Sequence, residues 1–184
     1  MNVATQPFQG TFQADPFHSA FGFAVRHLGL STFRGQLTEV DATLGAADGE
    51  LTLEGRAKVE SISVQNPPQF RDHLLGEEFF DAESHPYVEF RSTSVDLGGD
   101  GSARIEGDLT IRGITRPIVA TGTWSEPREF GADRVVGALE LEASFDRREF
   151  GFDWQMETPG GGIALDYDVT LSVQLELVRP GEGA

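Results

Sequence analysis

At 184 residues the chain is sized for one domain with one core, burying about 70% of the surface its unfolded form exposes. Its 30 acidic against 14 basic residues give a net charge of −16, which repels phosphate backbones and anionic surfaces, so nucleic acid is not an expected partner. Lack of cysteine removes disulfides, thiolate catalysis and Cys-based zinc or iron–sulfur sites.

The opening residues MNVATQPFQG carry neither a basic n-region nor an apolar h-region, so the chain is expected in the cytoplasm, with residues 1–10 as a flexible terminus. Apolar runs such as Phe21–Val25 fall far short of the ~18 residues that span a bilayer, so stable membrane insertion is not expected. Period-two alternation then begins with SAFGFAV, where Phe21, Phe23 and Val25 share one face. VRHLGLST, before Phe33, reads as a short helical turn. QLTEVDATL and ELTLEGRAKVESISV follow as strands, joined by AADGE, whose Asp-Gly pair accepts positive φ.

One segment interrupts the alternation. NPPQFRDHLLGEEFFDAESHP opens on two prolines, sets Phe70 and Leu74 four apart and offers Gly76 as a stop, which predicts a helix over 67–75 followed by the aromatics Phe79 and Phe80. YVEFRSTSV, ARIEGDLTI, PIVATGTW, RVVGALELEASF and IALDYDVTLSVQLELV complete eight strand segments, and RPGEGA reads as a flexible end, residues 179–184. Eight antiparallel strands in one domain must hide their edges. An all-β, up-and-down barrel over 11–178 with one or two short helices does so, and a β-sandwich is the alternative.

Catalytic signatures are missing from the sequence. It has no GxSxG, HExxH or strand-to-helix GxGxxG, and its single lysine, Lys58, lies in EGRAKVE, outside any Walker loop. DLGGDGSARIEG begins like a calcium loop from Asp96 but has Gly98 at the third position and Gly107 where a bidentate Glu belongs. His18 and His27 could converge with Asp72 and His73, yet no short-spaced histidine pair supports a metal site, and no metal or other cofactor is expected. Gly55, Ala57, Gly107, Gly137 and Ala143 on the apolar parities suggest room between the larger residues, hence a hollow barrel.

Four motifs, DPFHSAFGFAVRHLGLSTFRGQL, RDHLLGEEFFDAESHPYVEFRSTSV, IEGDLTIRGITRPIV and FDRREFGF, resemble the YceI-like family of lipocalin-like, polyisoprenoid-binding proteins. The resemblance implies an eight-stranded antiparallel barrel with a helix over part of it and a long isoprenoid, quinone-like or fatty chain in the lumen. The lumen is then expected to be lined by Phe21, Phe23, Phe33, Leu53, Phe70, Leu74, Phe79, Phe90, Leu109, Ile111, Leu139, Leu141, Phe145, Leu165 and Tyr167. His18, Arg26 and Arg71 are the candidates for a polar head at the mouth. The expected ligand is a long-chain isoprenoid or related lipid, with a homodimer left open. Many family members are secreted or periplasmic, a pattern from which this chain's opening residues depart. Two other functions compete: an enzyme acting on a small lipophilic substrate through His73 with Asp72 or His18, and a ligand-free stress protein with a filled barrel.

Overall fold

Alternation places one face of each strand on a common core, and in the computed structural model, which describes residues 7–131 and 133–180, ten strands use it to build one closed sheet. They are β1 (Gly10–Ala14), β2 (Ala20–His27), β3 (Ser31–Leu37), β4 (Val40–Ala47), β5 (Glu50–Lys58), β6 (Tyr87–Leu97), β7 (Ser102–Ile111), β8 (Ile114–Glu129), β9 (Arg134–Asp146) and β10 (Leu165–Pro180). The helix α1 (Pro68–Leu75) lies between β5 and β6.

The ten strands make eight staves. β10 pairs along one edge with β9 and along the other with two strands end to end, β2 from Leu165↔His27 to Gln174↔Ala20 and β1 at Leu177↔Ala14 and Val178↔Gln13. β3 and β4 lie in the same way beside β2 and β1. The chain kinks between β3 and β4, where the Ser61 hydroxyl accepts the backbone N–H groups of Thr38 (2.9 Å) and Glu39 (3.0 Å) and so satisfies donors the ladder loses there. The pairing of β1 with β10 closes the ring into an antiparallel barrel, and the second edge of β3 carries the isolated bridge Leu37↔Ile62 in place of a strand.

Three local readings change. VRHLGLST forms no helical turn: Leu28 (φ 54°) and Gly29 (φ 68°) are left-handed in the three-residue loop between His27 of β2 and Ser31 of β3, where Leu30 N–H donates to His27 O at 3.0 Å. The strand expected through Val64 stops at Lys58, where Val59–Ser61 form a 3-10 turn that leads toward α1. The chain before residue 11 is also part of the fold. Phe8 is fully buried in the core cluster with Phe12, its ring 5.0 Å from Phe12 and 6.2 Å from Trp124. Arg179 and Pro180 continue the ladder against Val135 and Arg134, while residues 1–6 and 181–184 of the expected flexible ends lie outside the described residues.

The helix forms where its sequence signals place it. Pro68 stands in the first turn, where its missing N–H costs nothing, and Gly76 N–H donates back to Asp72 O and His73 O as the helix ends. Leu74 is buried and carries α1 onto the barrel. The core divides into two clusters: one around α1 with Leu37, Val59, Ile62, Ile111, Phe150 and Phe152, the other at the Phe8 end with Phe12, Leu44, Ile105, Leu139 and Leu177.

Candidate ligand cavity

The inward parity of β2 supplies Phe21, Phe23 and Val25, and β10 supplies Leu165, Val169 and Leu171 across the ladder from them. Phe33 of β3, Ile111 of β7 and Phe145 of β9 complete the barrel side, while α1 adds Phe70, His73 and Leu74. The result is an apolar cavity of about 430 Å³. Its wall is a belt of rings in edge or tilted contact: Phe33–Phe70 at 5.5 Å, Phe23–Phe80 at 5.8 Å, Phe80–Phe152 at 5.3 Å, Phe79–Trp154 at 5.5 Å and His73–Phe79 at 4.9 Å. His27, Ser31, Thr32, Phe70 and Met156 line the cavity and are exposed, which marks the mouth between the β2–β3 hairpin, α1 and the 152–164 loop.

A second, smaller apolar chamber of about 90 Å³ lies deeper in the barrel, between Leu53, Phe90, Leu109, Leu141, Val173 and Leu175. Phe21 and Leu171 line both chambers.

Thirteen of the fifteen expected lumen residues therefore stand on chamber walls: Phe21, Phe23, Phe33, Phe70, Leu74, Phe79, Ile111, Phe145 and Leu165 on the outer, and Leu53, Phe90, Leu109 and Leu141 on the inner, with Phe21 on both. Leu139 has the right parity but lies beyond the inner chamber, fully buried in the cluster with Phe8. Tyr167 leaves the lumen where β10 bulges, with three residues between Leu165 and Val169 set against Arg26 alone between their partners His27 and Val25. Its ring instead lies under the guanidinium carbons of Arg148 (3.9 Å) and Arg147 (5.0 Å).

Of the five small residues expected to make room, Gly55, Ala57 and Ala143 line the inner chamber, while Gly107 and Gly137 do not. A Cβ on Gly107 would stand 2.5 Å from Phe90 Cζ, and one on Gly137 2.7 Å from Phe8 Cε1, so a neighbouring ring already occupies the space over each glycine. The outer chamber is bounded by α1 and the 152–164 loop, which supply Phe70, His73, Leu74, Phe152, Trp154 and Met156 to its wall.

The polar groups differ from those expected. His18 is on the outer wall, its Nδ1 3.1 Å from Asp15 Oδ1 and 3.5 Å from Glu176 Oε1. Asp15 is held below the usual carboxylate range, chiefly by the backbone N–H of Phe17 and then by His18. These ligand-type atoms of Asp15, His18 and Glu176 all lie within 4.8 Å of one another, and together with Ser19, whose Oγ accepts the Glu176 N–H, they fasten the β1–β2 break to β10. Arg26 turns outward and donates to Gly29 O (2.7 Å) and Thr32 Oγ1 (3.3 Å), and Arg71 donates to Glu60 O (3.0 Å); neither lines the cavity.

His73 and Arg147 line it in their place. His73 Nε2 is 2.9 Å from Glu78 Oε2, so its partner is Glu78 rather than Asp72, and His18 has partners of its own on the outer wall. The acid–base set His73, Asp72 and His18 is not assembled. Arg147 is 4% exposed and donates to the carbonyls of Asp166 (2.9 Å), Leu165 (3.3 Å) and Phe152, and burial lowers its pKa. Gln155 braces the same region, its Oε1 accepting the N–H of Ala164 (2.9 Å) and Leu165 (3.1 Å).

Sequence reading missed Val25, Phe80, Phe152, Trp154 and Val169. Val25 and Val169 share the parity of the lumen residues on their own strands, a signal that points to them, whereas Phe80, Phe152 and Trp154 lie on segments without strand periodicity.

The model of the YceI-like domain matches residues 12–177. A UPF0312 protein of Shewanella denitrificans is 30% identical over 158 residues, 81% of this chain and 79% of that protein, and one of Staphylococcus aureus is 26% identical over 174 residues, 90% and 95% of the two chains. Among solved structures, Burkholderia cenocepacia BcnA superposes with a TM-score of 0.70 at 17% identity, covering 90% of this chain and 99% of that one. A polyisoprenoid binding domain from Saccharophagus degradans, implicated in plant cell wall breakdown, gives 0.64 at 9% identity, covering 92% and 98%. With a family model matching residues 12–177, nearly all of the barrel, the chain belongs to the YceI-like family.

Proposed function

We propose that the protein encloses the apolar tail of an isoprenoid lipid, or a similar long amphiphile, in the outer chamber, and so carries, stores or sequesters it in the cytoplasm. The observation that carries this reading is the 430 Å³ cavity, ringed by aromatic side chains and opening at one end, with its exposed polar groups at the mouth. Such a volume lies within the ~300–1,000 Å³ of small-molecule sites, and each chain CH₂ moved into it from water contributes ~0.8 kcal/mol. Binding of this kind reads length and girth rather than polar pattern, so it suits a tail better than a compact polar metabolite. The polyisoprenoid-binding description of the Saccharophagus domain supports the ligand class.

Binding is favoured over catalysis because no acid–base pair and nucleophile meet on the cavity wall among the described residues: His73 faces Glu78, and Arg147 is engaged by three carbonyls. Organic extraction of the purified protein, followed by mass spectrometry of the extract, tests the reading. A stoichiometric apolar chain is expected, and delipidated protein should take up farnesol with a change in Trp154 emission. No extracted chain together with no uptake would refute it.

A further inference from the structure

We propose that Phe21 partitions the lumen and thereby sets the length of chain the protein accepts, an inference that rests on the lipid-binding reading above. The two chambers lie end to end in the barrel and share Phe21 of β2 and Leu171 of β10 as common wall. Phe21 is paired across the ladders with Val173 on one side and Leu37 on the other, so its backbone is fixed and only the ring can yield. Gly22, its neighbour, has Ser172 Oγ 2.5 Å from where a Cβ would stand, so only a residue without a side chain leaves room there for Ser172.

Dimensions turn this wall into a length. The outer chamber follows β2 from Phe21 to His27. Six steps of ~3.3 Å on a strand tilted ~40° give a depth of about 15 Å, or about 12 carbons of an extended chain rising ~1.3 Å each. The inner chamber, at about 90 Å³, lies beyond the wall that Phe21 and Leu171 share. Removing the phenyl group would join the chambers and vacate space for about six further carbons.

A tail longer than about 12 carbons therefore leaves its excess at the mouth, where it gains nothing from the cavity. Selectivity among isoprenoids then comes from a stop at the bottom of the outer chamber rather than from recognition of the head. Leu171, the other shared residue, is 4% exposed and held in the ladder between Phe23 and Ala143.

Primary alcohols from 1-decanol to 1-eicosanol, delivered from cyclodextrin to the delipidated protein, test the partition by native mass spectrometry and tryptophan emission. In the wild type, affinity should rise about fourfold per carbon and then level off at about 12 carbons. In Phe21→Ala it should continue to rise, so that 1-eicosanol binds at least a hundredfold more tightly than to the wild type while 1-dodecanol changes little. An unbroken rise to 1-eicosanol in the wild type, or the same break in both proteins, overturns the partition and leaves lipid binding standing. No uptake of any alcohol by the wild type overturns the lipid-binding reading and the partition with it. Should Phe21→Ala lose the native circular dichroism spectrum, Phe21→Leu replaces it, and the wild-type break still decides by itself.

Discussion

Replacing Val169 by Asp sets a carboxylate on the outer-chamber wall, whereas the same change at the next residue, Thr170, places it on the exposed face of β10. Both variants add one negative charge to a chain already at −16, so long-range repulsion is matched and only the side of the strand differs. A carboxylate at 169 stays hydrated by drawing water into the cavity beside it. About four chain carbons lie within contact range of the group, and losing ~0.8 kcal/mol for each removes ~3 kcal/mol, more than a hundredfold in affinity. Val169 is half-buried, next to a cavity rather than packed on all sides, so the fold should survive. Thr170 meets Ser144 Oγ at 3.4 Å on the outer surface, and losing that contact should cost well under 1 kcal/mol. Uptake of 1-dodecanol by both delipidated variants, with circular dichroism as the control for folding, gives the comparison. Equal affinity in Val169→Asp and Thr170→Asp would mean that the chain lies elsewhere.

Two further outcomes follow from the residues around the mouth. Arg147→Met removes three donors from the carbonyls of Phe152, Leu165 and Asp166, so chemical denaturation should show a loss of ~2–4 kcal/mol, and Arg147→Lys should not restore it because an ammonium cannot span the three acceptors. The Asp146 carboxyl is lowered from 3.8 to about 2, first by the side-chain hydrogen bonds of Arg148 and then by its backbone N–H. A depressed folded value stabilises above the ordinary pKa and is lost as pH falls, so acid titration of Asp146→Asn should show a shallower decline in stability than the wild type between pH 3.8 and about 2.

Strand parity carried most of the site into the sequence. Phe21, Phe23, Leu109, Leu141 and Leu165 reach chamber walls because a barrel turns one face of every strand inward, and no packing detail is needed to say so. Tyr167 shows where parity ends: a bulge is a backbone event, and nothing in LDYDV announces that its three inner residues will face Arg26 alone. Leu139 shows another limit, since parity gives the face but not the depth at which a lumen is filled by Phe8. The head-group candidates His18, Arg26 and Arg71 were chosen by chemistry without a strand face to constrain them, and their nearest carboxylates and carbonyls hold them outside. The cover over the cavity was the least legible part, because Phe152, Trp154 and Met156 lie on irregular chain held by Gln155 and Arg147 through contacts that no local pattern encodes.

The shared edge of β10 also bears on how the protein is made. Gln13 meets Val178 and Ala14 meets Leu177, pairs separated by nearly the entire described chain, and β2 depends on β10 for the partner on one of its edges. A ribosome delivers β10 after the other nine strands, so β1, β2 and β9 each wait with an unpaired edge while translation proceeds. Closure of the ring is thus a single late event, slow by the length of loop it must draw together, and until it occurs Phe8, Phe12 and the aromatic belt have no completed wall to pack against. Nascent chains stalled before residue 165 should accordingly be far more susceptible to protease and more prone to strand-mediated association than chains released a few residues after 180.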